Sequence, residues 1–225
     1  MKSTMVEATH TEDKVKKYYH WRASNYDAGS SFEIEHHLEA IRLAEIQEGQ
    51  RVLDVACGTG RATLDLAKAV GGSGNVDALD LSEDMLGQAQ TKLKRAGLSE
   101  RVEFKQGNAK ALPFPDATFD VVYNGYMFDL IPFDGFLPIL QEFIRVLKPG
   151  GKIVLVNMSK PDSRKTFYET IYEIGAAVMP CRPVLMSQLL ESAGFIGVTR
   201  LYRPTHGLIV SRLWGTEIVL GRKPV

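Results

Sequence analysis

A short β-branched and apolar run, Arg51-Val52-Leu53-Asp54-Val55, breaks into a glycine turn, Gly58-Thr59-Gly60, and passes into helical spacing over Ala62 to Val70. Strand, tight turn and helix in that order open a βαβ unit, which commits the chain to a parallel sheet. The alternation repeats. Gly71-Gly72-Ser73-Gly74 breaks the helix, Val76 to Leu81 reads as a second strand, and Ser82 is placed to N-cap a helix with Met85, Ala89 and Leu93 on its apolar face. Gly97 ends that helix. Val102 to Lys105 and Asp120 to Asn124 read as strands three and four, and Leu140, Ile144 and Leu147 place a helix after them. Lys148-Pro149-Gly150-Gly151 stops that helix, and Ile153 to Asn157 is a fifth strand. Helices are expected around Lys165 to Ala177 and Leu185 to Ala193. The strands Gly197 to Tyr202 and Thr216 to Gly221, with no long helix between them, predict an antiparallel hairpin at the sheet edge. The fold class expected is α/β: a doubly wound, mostly parallel, Rossmann-like sheet of seven strands with an antiparallel C-terminal edge hairpin.

Before the first strand, Glu12 to Tyr26 reads as an aromatic-rich helix, and Ile34, Leu38 and Ile41 give a second segment helical spacing. These two helices predict an N-terminal cap over residues 1–47, with the ligand-binding domain over 48–225. A chain of 225 residues suits one α/β domain with such an embellishment. Lys+Arg and Asp+Glu both number 27 and no run of like charge stands out, so nucleic acid is not the expected partner. Cys57 and Cys181 form no Cys-x-x-Cys pair, which argues against a zinc site or a redox dithiol, and no metal is expected. Residues 1–17 are polar and nothing approaches the roughly 20 apolar residues of a membrane span, so the expected location is the cytoplasm.

In a doubly wound sheet the ligand lies outside the carboxyl ends of the strands, where the strand order reverses. The glycine loop sits there. Its bare backbone admits a ligand closely, and the following helix offers unpaired N–H donors and a partial positive charge. Asp80 closes the second strand 20 residues after Gly60, where a carboxylate can accept from both hydroxyls of a nucleoside ribose. Asp54 sharpens the reading: a phosphate-binding turn seldom wants a carboxylate so near, whereas a donor with a zwitterionic tail and a sulphonium tolerates one.

These residues carry a family resemblance. Val52-Leu53-Asp54-Val55-Ala56-Cys57-Gly58-Thr59-Gly60 resembles the first motif of class I S-adenosylmethionine-dependent methyltransferases, and Asp80 to Leu86 resembles their second. Gly107 to Asp120 is similar to the segment that clasps adenine in that family. Asn108-Ala109, the pattern Lys14-Val15, His20, Ala23, Tyr26-Asp27, and Ser159-Lys160-Pro161 most resemble the ubiquinone/menaquinone (UbiE-like) C-methyltransferases. The resemblance covers roughly residues 14 to 161, with Ala193-Gly194-Phe195.

The resemblance implies S-adenosylmethionine as methyl donor, S-adenosylhomocysteine as product, and a small hydrophobic or aromatic acceptor, quinol- or phenol-like, methylated on carbon or oxygen. A lipophilic acceptor would bring the chain to a membrane surface. The resemblance further implies a donor site of Asp54, Ala56, Gly58, Thr59 and Gly60 toward the methionine moiety, Asp80 and Leu81 at the ribose, Met85, Gly107, Asn108 and Ala109 at the adenine, and Asn124 and Gly125 at the end of the fourth strand. Gly125 stands where the quinone enzymes carry a small hydroxyl residue, and the segment between the fifth strand and Ala193 is shorter than theirs. A general base would make a phenolic acceptor electron-rich, and Tyr19, His20, Tyr26, His37 and Asp129 are the candidates. The resemblance sets the N-terminal helices over the donor and so favours His20 and Tyr26, with Tyr19 a further catalytic candidate in the same helix. Phe128, Leu130, Ile131, Phe133, Phe136 and Leu137 form an apolar stretch that either lines an acceptor pocket or packs the following helix.

Two other functions share these motifs. A glycine turn with an acid about 20 residues on also suits a dinucleotide, although this loop lacks a third glycine and the chain has no Tyr-x-x-x-Lys pair. A catalytically silent cofactor-binding subunit would carry the same donor motifs.

Overall fold

Parallel strands covered on both faces are buried along their length, and the five-residue strand that opens the sheet is buried from Val52 to Val55, with Asp54 the one charged residue among these four. The computed structural model describes residues 5–11, 14–15, 33–161, 164–175, 180–204 and 215–225. In chain order the elements are α1 (Glu33–Ala44), β1 (Arg51–Val55), α2 (Arg61–Ala69), β2 (Asn75–Asp80), α3 (Glu83–Arg95), β3 (Val102–Gln106) and β4 (Phe119–Gly125). They continue with α4 (Phe133–Val146), β5 (Leu147–Ser159), α5 (Phe167–Glu173), α6 (Ser187–Ser192), β6 (Ile196–Pro204) and β7 (Gly215–Arg222). The helix expected over Glu12 to Tyr26, with Tyr19, His20 and Tyr26, lies outside the described residues apart from Lys14 and Val15.

The seven strands form one sheet in the order β3-β2-β1-β4-β5-β7-β6. The first five run parallel, β7 pairs antiparallel with β5, and β6 pairs antiparallel with β7. The expected antiparallel hairpin is present, with its second strand inserted next to β5. β1 has β2 on one side and β4 on the other, so the strand order reverses at β1 and opens a crevice at the carboxyl ends of these three strands.

Each sheet face carries its own core. One packs Leu53, Val55, Val122, Ile153 and Leu155 against Phe136, Leu140 and Phe143 of α4 and Leu190 of α6. The other packs Val52, Val76, Ala78, Tyr123 and Val154 against Ala40 and Ala44 of α1, Leu66 of α2 and Leu93 of α3. α1, read from the sequence as part of the cap, therefore also closes a core face. Its buried stripe is His37, Ala40, Ile41 and Ala44, whereas Ile34 and Leu38, expected to face inward with Ile41, are exposed. The spacing of 37, 41 and 44 fits a helix face as well as that of 34, 38 and 41, and two alanines allow a close approach to the sheet.

The expected fifth strand, Ile153 to Asn157, extends from Leu147 to Ser159, and two helices end earlier than expected. Leu147 is extended and pairs with Phe119 as the first residue of β5, so α4 ends at Val146. α5 ends at Glu173, followed by a left-handed Gly175, short of the expected Ala177. Ser82 caps α3 as expected, accepting the N–H of Met85. Among the described residues no helix is long and apolar enough to cross a membrane.

Candidate active site

The turn after β1 is forced into left-handed backbone at Ala56, Gly58 and Gly60, with φ of 57°, 55° and 76°. This folds the loop over the carboxyl end of β1. Cys57 N–H donates to Leu79 of β2, and Gly58 N–H donates to Asp80 Oδ2 at 2.8 Å. The other oxygen of Asp80 accepts the Ser82 N–H, also at 2.8 Å. One carboxylate thus ties the first loop to the start of α3. Burial pushes the Asp80 carboxyl above its ordinary range, against the opposing pull of the Ser82 and Gly58 amides.

Gly58 and Gly60 serve different ends. A Cβ on Gly60 would lie 2.7 Å from the Ala89 Cβ, so this glycine seats α2 against α3. A Cβ on Gly58 would meet no atom within 4 Å, because that side of the loop faces the cleft. Below the loop, buried Asp54 accepts the Thr63 hydroxyl at 2.6 Å. Burial raises its carboxyl to about 7, with the Thr63 hydrogen bond opposing and the charge of Asp80 adding. Burial likewise pushes the Cys57 thiol well up, which leaves it an unreactive wall residue.

The cleft continues over Leu81 and Met85 to Gly107, Asn108 and Ala109 after β3. Asn108 Oδ1 accepts the Lys110 N–H at 2.9 Å, closing an Asx turn that holds this segment at the rim. On the opposite side, after β4, the wall is Gly125, Tyr126, Met127, Leu130, Ile131 and Pro132, joined by Ile139 of α4. His37 reaches the same wall from α1: Nδ1 is hydrogen-bonded to the Tyr123 hydroxyl, and the ring meets Tyr126 edge-on at 5.4 Å. Burial, with Arg61 and His36 adding, holds the imidazole down to about 3, so it is neutral near pH 7. Val15 also lines the cleft.

Every donor-site residue named from the sequence lines this cleft except Gly60 and Asn124. Asn124 is buried and ties β4 to β1 by donating to the Val55 carbonyl at 2.7 Å. Of the base candidates among the described residues, His37 lines the cleft and Asp129 stands behind it, buried, its carboxyl raised by burial to about 7. In the apolar stretch, Leu130 and Ile131 face the cleft while Phe128 and Phe136 pack in the core and Leu137 is exposed. Sequence reasoning passed over Tyr123, Arg61, Lys110 and Tyr126. Tyr123 stands in an apolar strand, where nothing local separates it from a core residue.

A model of the ubiE/COQ5 methyltransferase family matches residues 7–209. Demethylmenaquinone methyltransferase of Bacillus cytotoxicus is 39% identical over 155 residues, covering 67% of this chain and 64% of that protein. The enzyme of the same name from Bacillus subtilis is 38% identical over 156 residues, covering 67% and 66%. The match therefore spans slightly less than two thirds of these relatives' own length. Among solved structures, the 4+2 cyclase SpnF superposes with a TM-score of 0.76 at 21% identity, over 96% of this chain and 98% of that one. A SAM-dependent methyltransferase from Aquifex aeolicus gives 0.62 at 25%, over 90% and 97%. Likeness to the cyclase carries the fold alone.

Proposed function

The chain belongs to the ubiE/COQ5 methyltransferase family, and from that premise we propose that it transfers the methyl group of S-adenosylmethionine to a small quinol-like aromatic acceptor. The observation that carries the reading is the joint cradle of Gly58 and Asp80: a loop face that a Cβ would fill, beside a carboxylate held at the end of β2.

The residues fit such a donor. Two carboxylates, Asp54 and Asp80, border the cleft and suit a zwitterion bearing a sulphonium better than a pyrophosphate. In this reading Asp80 and Leu81 hold the ribose, Met85, Gly107, Asn108 and Ala109 the adenine, and Asp54, Ala56, Gly58 and Thr59 the methionine moiety. Gly60 and Asn124 support it from behind. When bound, the donor supplies an electrophilic methyl group: the acceptor carbon's electron pair forms the new C–C bond, the sulphur keeps the old bonding pair as a thioether, and the ring proton is lost to solvent. The protein's part is alignment and exclusion of water. Residues 1–47, whose Val15 already lines the cleft, close the acceptor side, and the base that makes the quinol electron-rich comes from Tyr19, His20 or Tyr26 of this segment. The enzyme works from the cytoplasm and takes a lipophilic acceptor at the membrane surface.

Calorimetric titration with S-adenosylhomocysteine and with NADH tests the donor. Tight binding of NADH alone would return the chain to the dinucleotide reading. Incubation with S-adenosylmethionine and reduced demethylmenaquinone, with mass spectrometry for a gain of one methylene, tests the acceptor. Intact donor binding with no methylation of any quinol or phenol would favour a silent subunit.

A further inference from the structure

The acceptor side of the cleft holds a buried pair that the donor site does not use. His37 of α1 and Tyr123 of β4 lie 86 residues apart and are joined through His37 Nδ1 and the Tyr123 hydroxyl. His37 is 7% exposed and Tyr123 fully buried, yet both border the cleft. The imidazole stands where a side chain at position 125 would go: a Cβ there would be 2.6 Å from His37 Cε1 and 3.3 Å from Nδ1. The absence of a side chain at Gly125 is what admits the ring.

The ring's hydrogen bonding runs through Nδ1 alone among the described residues. A neutral imidazole carries one proton, and the more acidic phenol hydroxyl is the better donor in such a pair. Tyr123 O–H donating to Nδ1 leaves the proton of the ring on Nε2, which is a donor for whatever occupies the cleft. Burial above all keeps the ring neutral, with Arg61 from α2 and His36 on α1 also opposing protonation, and the rings of Tyr123 and Tyr126 pack beside it from the β4 side.

Sheet order fixes which ligand this donor meets. β2, with Asp80, lies on one side of β1, and β4, ending at Gly125 just before Tyr126, on the other. A nucleoside donor spread over β1 and β2 leaves the β4 end to the acceptor. We propose that His37, aligned by Tyr123 and seated against Gly125, donates a hydrogen bond from Nε2 to an oxygen of the methyl acceptor and so selects acceptors with an oxygen beside the methylated carbon. The inference rests on the methyltransferase reading above. As the quinol oxygen gains negative charge, a hydrogen bond to it strengthens. A site built to bond such an oxygen also discriminates strongly against analogues lacking it. Tyr123 acts through His37 and is a positioning residue.

The experiment compares wild type with His37→Leu, His37→Gln and Tyr123→Phe. It reads S-adenosylhomocysteine affinity by calorimetry, the affinity of reduced demethylmenaquinone for the S-adenosylhomocysteine complex, and kcat/KM for its methylation. Expected for His37→Leu is a loss of about 10- to 100-fold in quinol affinity and kcat/KM, with S-adenosylhomocysteine affinity unchanged. His37→Gln, which keeps an N–H donor, recovers most of that loss, and Tyr123→Phe falls between. Unchanged quinol affinity in His37→Leu, no recovery in His37→Gln, or an equal loss of S-adenosylhomocysteine affinity would each overturn the proposal. Should His37→Leu not fold, the contrast between His37→Gln and Tyr123→Phe decides it: Tyr123→Phe no weaker for the quinol than His37→Gln overturns it. Wild type that binds no S-adenosylhomocysteine refutes the methyltransferase reading itself, an outcome distinct from all of these.

Discussion

The main-chain N–H of Gly58 donates to one oxygen of Asp80 while the N–H of Ser82 donates to the other, each at 2.8 Å. The carboxylate is therefore a buckle between the first loop and the N-terminus of α3 before any ligand is considered. Hydrogen bonds to a charged acceptor contribute roughly 1.5–3 kcal/mol each. Asp80→Ala removes both together with the proposed ribose contact, so S-adenosylhomocysteine affinity should fall by about 100-fold or more while the core stays folded. Asp80→Asn keeps an acceptor oxygen and should lose less. Calorimetry and far-UV circular dichroism make the comparison, and unchanged affinity in Asp80→Ala would remove this residue from the donor site.

Gly125 and His37 compete for one space, so a side chain at 125 should be felt as overpacking. Gly125→Ala places a methyl group 2.6 Å from a ring carbon held between Tyr123 and Tyr126. A destabilisation of roughly 1–3 kcal/mol is expected from urea unfolding. The cost should shrink when His37→Ala is present in the same chain, because the ring is the obstacle. Additive costs in that double-mutant cycle would show that the strain lies elsewhere.

Buried carboxyls make stability depend on pH with a definite sign. Asp54 and Asp129 are raised by burial from 3.8 to about 7. Between those values the folded chain binds protons that the unfolded chain has released, so their contribution to stability is present at low pH and is lost as pH rises toward 7. His37, lowered by burial from 6.5 to about 3, acts in the opposite sense and costs stability as pH falls through that window. Asp54→Asn retains an acceptor for the Thr63 hydroxyl and removes the titration. Its stability relative to wild type should therefore rise between pH 5 and pH 8, and Asp129→Asn should behave likewise, both read by urea unfolding at each pH. A flat difference for both variants across that range would contradict the assignment.

Local chemistry made the sheet legible. The glycine turn, the Ser82 cap and the apolar strands each announce themselves within a few residues, and a parallel strand buried on both faces has little other way to read. The donor side of the cleft was legible for the same reason, since Asp54 and Asp80 stand at the carboxyl ends of β1 and β2, and Gly58 and Asn108 sit in the loops that follow strands. What escaped depends on contacts distant in sequence. The rotation of α1 was set by the approach of Ala40 and Ala44 to the sheet, and no local pattern separates that face from Ile34 and Leu38. Tyr123 looked like any strand residue because its partner, His37, is 86 positions away. Leu147 fits a helical period but is claimed by pairing with Phe119.

The segment after β5 offers a test of how the chain tolerates buried charge. Lys160 Nζ donates to Glu169 Oε1 at 2.7 Å, and both side chains are fully buried. The second oxygen of Glu169 accepts the Thr166 N–H at 2.6 Å, and Thr166 Oγ1 accepts the Glu169 N–H, completing the capping box of α5. Removing one member of a buried pair leaves the other charged in a low-dielectric interior and costs roughly 3–5 kcal/mol, whereas removing both charges often costs little. Lys160→Met alone should therefore be strongly destabilising. Adding Glu169→Gln keeps an oxygen for the Thr166 amide, and so keeps the cap, while discharging the orphaned carboxylate. The double variant should recover most of the stability lost by Lys160→Met. The measure is the coupling energy from urea unfolding of wild type, both single variants and the double. A double variant no more stable than Lys160→Met alone would mean that the loss does not come from an orphaned Glu169 carboxylate.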